Sequence, residues 1–286
     1  MKKNPLMISI GLLAVITTAV YIIFRFIGID SDTGLIQNET LLLLCHLLFL
    51  SCLVLSFIPG VLYYPNFFPK KNKYGIDELP RDIHPLIATL FQGNTAIFFV
   101  AMLCVFLVVL VLVLYEAIVS PAVGTFLFAL FLLAAVWGMV RLAWNSLTAK
   151  VKNSDAVVLL FPVLFIAYFC IFEYRLIALE PQTSIYYPEL MAILFSLLSI
   201  LSFIGHYFGR IPNGNVFFLS LCGTIFSSAV YLSLLVEYCR SLISNSNVLT
   251  GSFLMEGARV MVFAALAIWN GIYAVALYNH HSKTQK

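Results

Sequence analysis

Apolar positions in this chain do not alternate with polar ones; they run on. Eight uninterrupted apolar stretches cover residues 6–28, 40–62, 94–116, 122–146, 156–176, 188–209, 215–238 and 254–278. At 1.5 Å per residue, a helix of about 20 residues crosses the roughly 30 Å hydrocarbon core of a bilayer. A barrel strand would instead alternate apolar and polar residues over about ten positions. The pattern therefore predicts an all-α fold, a polytopic transmembrane helix bundle with eight spans, forming a single integral membrane domain over 1–286. Breaks carry turn residues, among them Asp30-Ser31-Asp32-Thr33-Gly34, Ser120-Pro121 and Ile211-Pro212-Asn213-Gly214. The Ser-Pro break is so short that spans three and four are expected to form a tight antiparallel hairpin.

Composition sharpens this reading. The chain has 286 residues, of which 62% are hydrophobic and 10% charged, against about 45–50% apolar and about 25% charged in soluble domains. Its mean hydropathy is +1.01. So apolar a surface needs lipid as its solvent, and eight spans with their connections leave no length for a soluble catalytic or DNA-binding domain. The first run follows Met1-Lys2-Lys3 and exceeds the 7–15 residues of a signal-peptide core, with no small-x-small cleavage site after it. It is expected to stay as the first span. The six cysteines (Cys45, Cys52, Cys104, Cys170, Cys222 and Cys239) include no C-x-x-C pair, and buried membrane cysteines behave as small hydrophobes.

The net charge of +3 says little until the charges are sorted by side. With the N-terminus inside, twelve of the sixteen Lys and Arg fall in inside segments, leaving Arg25, Arg175, Arg240 and Arg259 outside. The positive-inside rule then gives N-in and C-in, a multi-pass protein of the cell membrane with both termini cytoplasmic. The acids lean the other way, nine of the thirteen falling outside. The longest polar segment is the cytoplasmic connection 63–92. Its Tyr63-Tyr64-Pro65-Asn66-Phe67-Phe68-Pro69-Lys70-Lys71 start reads as an interfacial anchor on anionic lipid. Four prolines (Pro65, Pro69, Pro80 and Pro85) hold the segment open, so 63–85 is also a candidate docking segment for a cytoplasmic partner. A basic total arising this way implies no nucleic acid.

Charges gather at the extracytoplasmic edge: Arg25 ends the first run, Glu116 the third, Glu173 and Arg175 the fifth, Glu237 and Arg240 the seventh, and Glu256 and Arg259 begin the eighth. A charge at the bilayer centre costs at least about 2.5–3.5 kcal/mol and much less at the interface. Boundary residues that satisfy helix ends explain the ring without any function; an outward-facing vestibule that binds a solute or peptide is the functional alternative. The i, i+3 pairs Glu237–Arg240 and Glu256–Arg259 are expected to lie close together and cross-link spans seven and eight.

Inside the spans, polar groups are few. Asn270 lies eleven residues after Arg259, within about 20° of it around a helix, and near mid-bilayer it needs a partner across a helix interface. Gly257, Ala264 and Gly271 recur every seven residues as a seam for close helix approach, with similar clusters at Ser202, Gly205 and Gly209 and at Ser220, Gly223 and Ser227. His46 is the one histidine well inside a span. A lone histidine there is more often a hydrogen-bonded bundle residue than a ligand, and no second buried histidine offers a haem a second axial group. No Walker A loop, HExxH motif or central pair of acids occurs. No cofactor, metal site or catalytic residue is predicted.

Three function classes remain. The first is a non-enzymatic membrane component or accessory subunit with a membrane-protein or cytoplasmic partner, working in the lipid bilayer. The second is a small-solute transporter or channel with the charged ring as vestibule. The third is an intramembrane enzyme using His46 or the Glu237–Arg259 cluster.

Overall fold

In hydrocarbon a helix satisfies every backbone N–H and C=O within its own segment, and the apolar runs take that form throughout. The structure, a computed structural model, describes residues 5–29, 35–63, 94–119, 121–148, 155–178, 186–207, 213–244 and 251–284. These form eight α-helices: α1 (Pro5–Ile27), α2 (Glu39–Tyr63), α3 (Asn94–Val119), α4 (Val123–Thr148), α5 (Asp155–Ile177), α6 (Tyr187–Tyr207), α7 (Asn213–Ser244) and α8 (Gly251–Thr284). Each is long and apolar enough to cross a membrane. No strand occurs among the described residues, only an isolated bridge between Ile29 and Ile36 where the chain turns from α1 to α2. The connection 63–92 lies outside the described residues beyond Tyr63.

Boundaries of α1 to α6 follow the apolar runs closely. The last two helices do not: α7 ends at Ser244 rather than 238, and α8 at Thr284 rather than 278. Hydropathy marks where lipid ends, whereas a helix continues into interfacial water as long as its side chains tolerate both. Residues such as Arg240, Ser241 and Asn279 do.

α7 is the hub, packing on α1, α2, α6 and α8. From α8 the contacts pass to α3, then α4, α5 and α6, which returns to α7. This closed ring has its interior filled by phenylalanines from α3, α4, α5 and α8. Phe106 and Phe128 both meet Phe165 edge-on, with ring centroids 5.9 and 5.4 Å away, and Phe169 meets Phe263 at 5.4 Å. Edge-to-face pairs of this kind contribute about 0.5–1.5 kcal/mol beyond burial. α1 and α2 pair with each other and lie against α7 outside the ring. Their shared face includes Thr17, whose hydroxyl lies 3.2 Å from Cys52 Sγ. All six cysteines are free. Large apolar side chains such as Leu12, Val15, Leu50, Val111, Phe126 and Trp137 point outward, the surface that lipid must cover.

Two close approaches set helix spacing. Pro162 has no N–H, so the Val158 carbonyl one turn earlier in α5 loses its intrahelical donor. Gly138 of α4 packs over this spot: a methyl placed there would stand 2.8 Å from the Val158 oxygen and 2.9 Å from Pro162 Cδ. Gly223 of α7 similarly makes room for Asn270 of α8, since a methyl there would lie 2.7 Å from the side-chain amide. Small residues at such points let helix backbones approach closely.

Candidate functional site

Helices that alternate in direction bring the ends of α1, α5 and α7 level with the starts of α6 and α8. Five charged residues meet at this level. Arg25, in the last turn of α1, places a guanidinium where a helix C-terminus favours a cation, and Glu189, in the first turn of α6, places a carboxylate where an N-terminus favours an anion. Glu173, one turn before the end of α5 at Ile177, has the opposite sign from the one a helix C-terminus favours, and Glu237 lies about two turns before the end of α7; both take arginine partners.

The partners are arranged as a chain. Arg25 Nε and Nη2 donate in parallel to Glu237 Oε1 and Oε2, both at 2.7 Å. Its Nη1 donates to Glu189 Oε1 at 3.0 Å. The other oxygen of Glu189 accepts from Arg259 Nη2 at 2.8 Å. Arg259 Nε lies 2.9 and 2.7 Å from the two oxygens of Glu173, and its Nη2 lies 2.7 Å from Glu173 Oε2. The order is Glu237–Arg25–Glu189–Arg259–Glu173, which links α7, α1, α6, α8 and α5. Glu173 and Glu189 are fully buried. Arg25 also lies over the Tyr186 ring, 5.5 Å from its centroid, a cation–π contact that strengthens where water is excluded.

Charge-assisted forks are the strong form of this interaction, and here they leave little chemistry free. Both oxygens of Glu237 and both of Glu189 are occupied by guanidinium N–H groups, so neither stands ready as a base or nucleophile. The network holds three carboxylates to two guanidiniums.

The remaining sequence candidates are distributed differently. Arg240 lies over the Phe26 ring at 5.5 Å, and Arg175 is exposed. Glu256 is partly buried on α8. Glu237 is held by Arg25 and Arg259 by Glu173 and Glu189, while Glu256 lies close enough to Arg259 and Glu237 to feel both charges. An i, i+3 pair suits a solvated helix surface, whereas a guanidinium turned inward meets the carboxylates of facing helices. Glu116, near the end of α3, is buried, and its Oε2 has no hydrogen-bond partner.

Asn270 is fully buried at the α6–α7–α8 junction. Its Nδ2 donates to Ser196 Oγ at 2.8 Å and to the Leu266 carbonyl at 2.9 Å. Ser196 in turn lies 3.2 Å from Ser227, and Ser199 lies 2.9 Å from Ser220. This ladder joins α6 to α7 and α8 at mid-span. His46 of α2 has its ring edge-on to Tyr187 of α6, 5.6 Å between centroids. Its Nε2 is buried without a hydrogen-bond partner. Among the described residues no three His, Cys, Asp or Glu side chains gather as metal ligands do.

Sequence reasoning singled out Arg25, Glu173, Glu237 and Arg259 but passed over Glu189, the residue that joins the two halves of the network. Its position at the start of a span made it look like an ordinary boundary acid. The signal that could have found it is parity: two inward-facing arginines at one level call for a shared carboxylate on an adjoining helix.

No protein-family model matches the sequence, no curated protein resembles it, and no solved structure matches its fold.

Proposed function

We propose that this chain is a non-enzymatic component of a cell membrane, with both termini cytoplasmic, acting by association with other membrane or cytoplasmic components. One observation carries the reading: the charges at the Arg25 end are spent on one another. Glu189 gives one oxygen to each of two arginines, so four of the eight ring charges, Arg25, Glu173, Glu237 and Arg259, work with it as a clamp across five helices rather than as a solute vestibule. A vestibule needs charged groups facing water, and an enzyme needs a free nucleophile or base. Here Glu173 and Glu189 are fully buried and paired. The segment 63–85, with its lysines and prolines, is the proposed contact for a cytoplasmic partner.

The test is flux. Full-length protein in liposomes, challenged with a panel of ions, amino acids and sugars, is expected to match empty vesicles, while cross-linking in native membranes returns the same neighbour in repeated preparations and loses it when 63–85 is replaced by a Gly/Ser linker. Saturable uptake of any solute above empty vesicles would overturn the reading, as would a neighbour set that does not recur.

A further inference from the structure

We draw no further inference here: the strongest candidate, the carboxylate of Glu116 on the buried face of α3 near the end of that helix, has one oxygen without a hydrogen-bond partner, and nothing in the structure shows what would meet it.

Discussion

Glu189 Oε2 accepts a hydrogen bond from Arg259 Nη2 at 2.8 Å, although the two residues are 70 positions apart. The same carboxylate reaches Arg25 with its other oxygen. Replacing it with Gln removes the charge from the middle of the chain and leaves two buried guanidiniums facing a neutral amide. Arg25 keeps Glu237 and Arg259 keeps Glu173, so the loss is that of the charge-assisted hydrogen bonds to Glu189, about 1.5–3 kcal/mol. Glu189→Gln is therefore expected to lower the melting temperature markedly in detergent, while Arg175→Ala, at an exposed position, stays within about 0.5 kcal/mol of the parent. Equal melting temperatures for the two variants would contradict this assignment.

Gly223 has a packing reason specific to Asn270. A methyl on Gly223 would sit 2.7 Å from the amide, so Gly223→Ala must push the Asn270 side chain off Ser196 or separate α7 from α8. Overpacking of this kind costs about 1–3 kcal/mol. The double variant Gly223→Ala/Asn270→Ala removes the clash and is expected to recover part of the loss, with a coupling energy of about 0.5–3 kcal/mol. Additive effects of the two changes in thermal unfolding would show that the contact is unimportant.

The α4–α5 contact makes a parallel case with backbone as the obstacle. Because a methyl on Gly138 would meet the Val158 carbonyl at 2.8 Å, no side-chain rotation relieves it. Gly138→Ala is expected to destabilise by about 1–3 kcal/mol, and a bulkier Gly138→Val by more. Thermal stability equal to the parent for Gly138→Val would mean that the two helices are not held so close.

Much of this architecture was legible in the apolar runs, because a membrane span must be about 20 residues long and nearly free of charge. Thus Leu6 to Phe24 or Ile97 to Tyr115 announces a span without any knowledge of its neighbours. Asn270 was legible too, since an amide at mid-bilayer needs a partner across an interface, although nothing in the sequence named Ser196. What could not be read was which charge meets which. Hydropathy gives depth and not azimuth, and the pairing of Arg25 with Glu237 depends on α1 lying against α7, a neighbourhood that no local pattern encodes. The i, i+3 spacing of Glu237 and Arg240 suggested a local pair for the same reason: it uses only information from one helix.

The orientation rests on lysine and arginine alone. Cysteine-reactive, membrane-impermeant reagents applied to intact cells are expected to spare single cysteines placed beside Lys3 and Lys283 and to modify one placed beside Glu180, in a background lacking the six native cysteines. Modification of either terminal cysteine from outside would reverse or break the proposed topology.

The central claim is that the charges at the Arg25 end hold helices together by pairing with each other. A charge-exchange cycle at Arg25 and Glu237 tests it most directly, because the fork between them consists of two 2.7 Å bonds joining α1 to α7. Arg25→Glu and Glu237→Arg are each expected to lower the melting temperature of the purified protein, and the double exchange to recover part of the loss, since a carboxylate at position 25 still faces Glu189. A double variant no more stable than the sum of the two single effects would contradict the claim.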